Sequence, residues 1–295
     1  MKKLLIILLL GISFSQEVLQ TYPDGSPKVV GTVTETGLNG LIQQFYEDGT
    51  LGFEGIFKDN VGNGFSKTYY PNGQISEESI FKNGKRDGKS QTFHNNGQLR
   101  ESGTYKNGLK VQKWFSYSKN GQISGESSYN GDYGYPEGPY TEYYNDGKIR
   151  RKGTTKYRPP GCEDCKGHLF SVGLNQEYYS NGQLRVEGRF KDDEEENTGV
   201  WKYFYENGQL RYLSDYTNNV YKKFYENGQI KEEGLMDDFT NKPIKSFFEN
   251  GNIESERKYS NDRSPQGLWK YYSENGQLKK EETYKNGELI DFKEY

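Results

Sequence analysis

Residues 201–210 read WKYFYENGQL and residues 269–278 read WKYYSENGQL, two near-copies of one phrase. Each holds a cluster of rings, then Asn-Gly, then a Leu that opens the next stretch. Asn-Gly and Asp-Gly tolerate positive φ, which tight hairpin turns require, so the phrase reads as strand, turn, strand. The turn recurs along the chain. Its glycines are Gly25, Gly49, Gly73, Gly97, Gly121, Gly147, Gly182, Gly208, Gly228, Gly251 and Gly276, each preceded by Asn or Asp. The spacings are 24, 24, 24, 24, 26, 35, 26, 20, 23 and 25 residues. A mark that returns at a near-constant period defines a tandem repeat.

Positions counted from each turn glycine carry the pattern. Position +2 is Leu or Ile in ten of eleven units, for example Leu51, Leu210 and Leu278. Position +8 is usually aromatic, as in Phe57, Tyr105 and Phe190, and position +6 is usually Gly or Ser, as in Gly103, Gly188 and Ser214. These positions share one face of a strand. Small residues at +6 leave room for a ring from the adjacent strand. Position −4 is aromatic in ten units, and position −3 in eight. Neighbouring positions face opposite ways, so both sheet faces carry rings near the turn. The −3 row, Tyr46, Tyr70, Tyr144, Tyr179, Tyr205, Tyr225 and Phe248, forms a candidate binding surface. His94 stands in this row where other units have a ring.

A second turn signal follows about eleven residues later in most units, as at Asn83-Gly84, Asn107-Gly108, Asn130-Gly131 and Asn286-Gly287. Each unit is therefore two strands and two turns. The expected fold is all-β: an elongated, single-layer antiparallel meander of tandem β-hairpin repeats, about 11 units of about 24 residues. Composition agrees. Only 31% of the 295 residues are hydrophobic and mean hydropathy is −1.05, but 26 Tyr, 16 Phe and 3 Trp supply apolar area.

Met1–Ser15 (MKKLLIILLLGISFS) has the form of a signal peptide: a basic start, a short apolar run and small residues before a cleavage point. The run is shorter than the about 20 residues that a spanning helix needs. Domain organisation is thus read as a leader over 1–15 and one repeat array over 16–295, with an insertion loop at about 154–174. The expected location is periplasmic or extracellular, with no membrane span in the mature chain. Loss of Lys2 and Lys3 with the leader takes the formal charge from −3 to −5. A mildly acidic chain without a basic block argues against nucleic acid and against electrostatic docking on anionic lipid.

The stretch Phe81-Lys-Asn-Gly-Lys-Arg-Asp-Gly88, then Phe93 and Asn96-Gly97-Gln98-Leu99, resembles the MORN repeat variant, as do the two phrases quoted first. Bacterial proteins of this kind often carry the label YwqK-like antitoxin. The likeness covers roughly residues 20–295. It implies a row of antiparallel hairpins and a scaffold or binding role instead of chemistry. Three places depart from the pattern. The unit ending at Gly228 is short and its linking turn, Thr217-Asn218-Asn219, lacks Gly. Residues 236–243 are degenerate. A long insertion separates Gly147 from Gly182.

The insertion holds the two cysteines of the chain in Cys162-Glu-Asp-Cys165-Lys-Gly-His168. Four readings stand: a Cys162–Cys165 disulfide fitting an oxidising compartment, a redox-active pair, a metal site of Cys162, Cys165 and His168, and two free thiols. The metal reading lacks a clear fourth ligand. Acid pairs such as Glu77-Glu78 and Glu281-Glu282 read as water-facing charges that keep the sheet soluble. No catalytic set and no cofactor are expected. The expected function is a non-catalytic exported scaffold for a protein partner. The alternatives are glycan or cell-wall binding through exposed rings, and antitoxin-like or membrane-surface binding.

Overall fold

A computed structural model describes residues 16–159, 168–192, 196–237 and 242–295. The segment Met1–Ser15, expected to be a leader, and both cysteines lie outside the described residues. Among the described residues there is no helix. Twenty-three strands form one open antiparallel sheet of consecutive hairpins, as the turn spacing predicts. They fall into two compact units. The first reaches Ile123 and includes Tyr129–Tyr135; the second comprises Ser124–Ser128 and Pro136–Tyr295.

Two kinds of turn alternate along the chain. In the main turn at Tyr205–Gln209, Gly208 N–H donates to the Tyr205 carbonyl at 2.9 Å and Tyr205 N–H to the Gln209 carbonyl at 2.8 Å. Gly208 has φ +86°. This is a three-residue loop closed by a glycine bulge. Positive φ belongs to the glycine alone. The Asn or Asp before it acts through its side chain: Asn207 Oδ1 accepts from Gln209 N–H at 2.9 Å. The equivalent bond forms at every one of the eleven main turns, from Asp24 to Asn275. Asn adds a donor that Asp lacks. Asn72, Asn96, Asn181 and Asn250 each give an amide hydrogen to a carbonyl of the following main turn, at 2.7–3.1 Å. The linking turns are different. Asn83 and Gly84 have φ +50° and +78°, and Asn107 and Gly108 have +50° and +89°, so both central residues are left-handed there.

One face of the sheet carries the rings that pack. In the first unit Ile42 and Trp114 are buried, and the small residues Ser79 and Ser90 lie between them, joined hydroxyl to hydroxyl at 2.8 Å. In the second unit Trp201 and Trp269 are buried. The expectation of a ring over a small +6 residue holds. A Cβ added to Gly103 would fall inside contact distance of the Trp114 indole, and one added to Gly188 inside that of Trp201. The ring lies flat where the side chain is missing. Tyr105 meets Trp114 edge-on at 5.0 Å and Phe190 meets Trp201 edge-on at 4.9 Å. Each such contact adds roughly 0.5–1.5 kcal/mol beyond buried area.

The last two repeats break the rule, with Arg257 and Glu282 at +6. Glu282 is buried. Burial pushes its carboxyl up, but hydrogen bonds from Lys280, Tyr271 and Tyr284 outweigh this and hold it below the ordinary value. Lys280 Nζ lies 2.5 Å from Oε1, and the Tyr284 hydroxyl donates to Oε2 at 3.0 Å. A carboxyl lowered on folding contributes stability above its unfolded value, near 4.5, and loses it as pH falls through the lower folded value. The hairpin Gly267–Lys285 is therefore expected to loosen on acidification below about pH 4.5. Amide exchange against pH tests this: Glu282→Gln should flatten the acid dependence there, and an unchanged profile would contradict it.

Candidate functional site

Position −3 builds a ladder along the turn edge. Tyr144, Tyr179, Tyr205 and Tyr225 each donate their hydroxyl to the carbonyl of the −4 residue one unit on: Tyr178, Phe204, Phe224 and Phe247, at 2.7–2.9 Å. In the first unit Tyr22, Tyr46 and Tyr70 do the same, at 2.7–2.8 Å. His94 Nε2 takes the ring's place against the Tyr117 carbonyl at 3.0 Å. Phe248 has no hydroxyl, so its rung is missing. These rings are mostly half-buried, with Tyr46 the most open of the row. Their polar ends are committed to the neighbouring backbone.

The opposite face of the sheet is a ladder of charges. Cross-strand neighbours in the second unit pair as Lys222–Glu233 at 3.0 Å, Lys245–Glu256 at 3.4 Å and Lys270–Glu281 at 3.9 Å. The −4 rings lean on it: Tyr143 donates to Glu126 at 2.9 Å and Tyr272 to Glu256 at 3.2 Å. Beside the ladder, at position −8, runs an apolar row. Leu174, Val200 and Leu268 are 42%, 40% and 47% exposed. Register places them on the same face as Gln176, Lys202 and Lys270, two residues along each strand.

On the packed face, a groove of about 520 Å³ opens in the second unit. Its walls are the rings of Tyr212, Tyr216, Tyr221 and Tyr259. Met236 and Ile244 add aliphatic surface, and Lys223, Asp237 and Arg263 add polar groups. The cause is strand length. Strands in the first unit run eight or nine residues through Lys58, Tyr69 and Phe93. Around the groove they shrink: Val220–Phe224 has five, Ile244–Phe247 four and Ile253–Arg257 five. Tyr216, Met236 and Tyr259 fall just beyond strand ends, and no tryptophan fills the middle. The gap sits at the two irregular units that the sequence marks, the short one ending at Gly228 and the degenerate one after Met236. The first unit has a narrower hollow of about 180 Å³, where Phe53, Phe57 and Phe81 surround Gly55 and Ser66.

Charges beside the groove are paired. Lys223 Nζ lies 2.8 Å from Glu232, the Tyr221 hydroxyl donates to Glu232 at 3.0 Å, and Arg257 bonds Ser246 Oγ at 2.8 Å. Burial pushes the Glu232 carboxyl up, but Lys223, Tyr221 and Arg257 outweigh it and hold it below the usual range. Burial and the Glu232 charge push the Tyr221 hydroxyl far up, so it stays a donor. Arg263 lines the groove with φ +66°, a left-handed backbone rare outside glycine.

Cys162 and Cys165 lie outside the described residues, so neither the disulfide nor a metal trio with His168 acquires a geometry. His168 begins a strand opposite Arg158, and its ring is 6.0 Å from Phe170. The insertion lengthens a hairpin: residues 154–158 and 168–174, expected as loop, are strand, within Ile149–Arg158 and His168–Tyr178. A regularity visible in the sequence goes beyond the +2, +6 and +8 pattern. All three tryptophans, Trp114, Trp201 and Trp269, stand at position −7; Trp114 and Trp201 lie over Gly103 and Gly188, and Trp269 pairs with Glu282.

The family model described as MORN repeat variant matches residues 64–83, 86–107, 136–157, 171–192, 197–218, 217–238, 242–261 and 265–286, more than half of the chain. No curated protein matches. Among solved structures, the chain is similar to TcdB2-TccC3 without its hypervariable C-terminal region, at 13% identity and TM-score 0.15, over 92% of this chain and 18% of that one. It is also similar to alternansucrase in complex with isomaltononaose, at 14% identity and TM-score 0.19, over 80% and 19%. A third is the Photorhabdus luminescens Tc holotoxin pore, at 12% identity and TM-score 0.18, over 92% and 18%. The chain spans less than a fifth of each of these chains. TM-scores of this size do not establish a shared fold.

Proposed function

The chain belongs to the MORN repeat variant family, and from that premise we propose that it is a non-catalytic, exported repeat scaffold that docks a protein partner on its charge-laddered face. The observation that carries this is the exposed row Leu174, Val200 and Leu268 beside a ladder of internally paired charges. An apolar strip rimmed by polar groups is the make-up of a docking surface. The paired charges hold the rim in place and add little affinity of their own. Most other distinctive residues, the turn asparagines and the −3 tyrosines, already serve the repeat. Export rests on the leader-like Met1–Ser15.

The test is capture from the envelope of the source organism, by wild type and by Val200→Lys/Leu268→Lys. These exposed sites tolerate lysine in the fold, so the variant should keep its thermal midpoint. Loss of two interface anchors is expected to weaken capture by at least about tenfold. Equal capture by both proteins would refute the reading.

A further inference from the structure

We infer that the groove between Tyr212 and Tyr259 is a second binding site, on the other face of the sheet, for a neutral pyranose oligosaccharide. It is independent of the protein-docking row, and either can fail without the other.

Four tyrosine rings line one open groove of about 520 Å³ in the second unit. Aromatic faces are electron-rich and offer flat apolar area, which suits the C–H faces of sugar rings. The rings are presented in sequence. Tyr203 and Tyr212 have centroids 5.5 Å apart, and Tyr212 and Tyr221 6.2 Å apart, on neighbouring strands. A ligand made of repeating flat units can meet several of them at once. The hydroxyls of Tyr212 and Tyr259 have no hydrogen-bond partner among the described residues, so each can donate to or accept from a sugar hydroxyl.

Charge decides against anionic ligands. Lys223 is held by Glu232, Arg257 by Ser246 and Glu232, and Arg263 is likewise engaged within the protein. With its cations already compensated, the groove offers no free positive charge to a nucleic acid, an acidic peptide or an anionic lipid. A neutral, hydroxyl-rich ligand gains from the rings and breaks no ion pair. Arg263 supports the assignment from the backbone. Its turn repeats the main-turn bonds, with Ser260 N–H to the Ser264 carbonyl at 2.9 Å and Arg263 N–H to the Ser260 carbonyl at 2.9 Å. Arginine stands where eleven other turns have glycine. The turn thus brings a long side chain, at a backbone cost that glycine would avoid, to the lip of the groove.

The experiment titrates the full mature chain with cellohexaose, chitohexaose, maltoheptaose and isomaltoheptaose, followed by calorimetry. At least one is expected to bind with a dissociation constant below about 1 mM. Tyr212→Ala/Tyr259→Ala is expected to lose tenfold or more, while Val200→Lys/Leu268→Lys keeps wild-type affinity. Should the double alanine variant not fold, amide exchange of wild type with and without the sugar replaces it, and protection must appear at 212–221 and 259–263. Binding of none of the four sugars would overturn the inference. So would affinity unchanged by loss of the two rings, protection elsewhere only, or displacement of the sugar by a proline-rich decapeptide at lower concentration, which would assign the groove to a protein segment.

Discussion

Trp201→Ala lowers stability by about 3–5 kcal/mol, Gly188→Ala by about 1–3 kcal/mol, and the double variant by less than their sum. The indole of Trp201 is buried and lies where a Cβ on Gly188 would be. Adding that methyl to the wild type must lift the ring off its seat, away from its edge contact with Phe190 and from the bond its Nε1–H donates to the Arg189 carbonyl at 2.9 Å. Once the indole is gone the methyl enters vacated space, so its cost disappears. Repeat arrays open locally, so the readout is amide exchange in the strands Leu184–Phe190 and Asn197–Phe204, not a single melting point. Gly103 and Trp114 form the same pair in the first unit and should repeat the result. Strict additivity of the two substitutions would mean that ring and glycine do not act on one another.

Gly208→Val costs about 2 kcal/mol or more, because a β-branched residue at φ +86° is a steric outlier. Gly208→Asn should cost less, since Asn visits the left-handed region most readily after glycine. Arg263 gives the converse. It already occupies this conformation with the turn bonds intact. Arg263→Gly is expected to stabilise the hairpin Ile253–Tyr272 by about 1 kcal/mol, through relief of left-handed strain offset by the entropy of glycine. Amide exchange in the two strands that flank each turn checks this: slower than wild type for Arg263→Gly, faster for Gly208→Asn and fastest for Gly208→Val.

The repeat, its hairpins and the ring-over-small-residue packing are legible in the sequence because each rests on local chemistry. Asn-Gly at Gly97 or Gly208 demands a turn, and alternation around Leu99 or Leu210 demands a strand. Less legible is what the side chains of Asn and Tyr do once units stack. The second hydrogen bond of Asn96, to the Lys119 carbonyl at 2.7 Å, and the reach of Tyr205 to the Phe224 carbonyl at 2.9 Å join residues a whole unit apart. Spacing shows that such residues recur; only the stacked sheet shows what they touch. The −3 row is a ring surface in the sequence and a chain of backbone tethers in the fold. The groove was marked by its irregularity, the missing linking glycine at Thr217–Asn219 and the degenerate stretch after Met236, while its lining by Tyr212, Tyr221 and Tyr259 depends on strands too short to cover it.

The −3 tyrosines tie each repeat to the next. Changing Tyr144, Tyr179, Tyr205 and Tyr225 together to Phe keeps every ring and removes only the hydroxyls. Each lost bond is expected to cost about 0.5–1.5 kcal/mol. Amide exchange across the whole chain is the direct measurement. Exchange should quicken in the strands that receive the four bonds, ending at Tyr178, Phe204, Phe224 and Phe247, and stay unchanged in the first unit, where Tyr22, Tyr46 and Tyr70 keep their own. Protection unchanged in those four strands would contradict it.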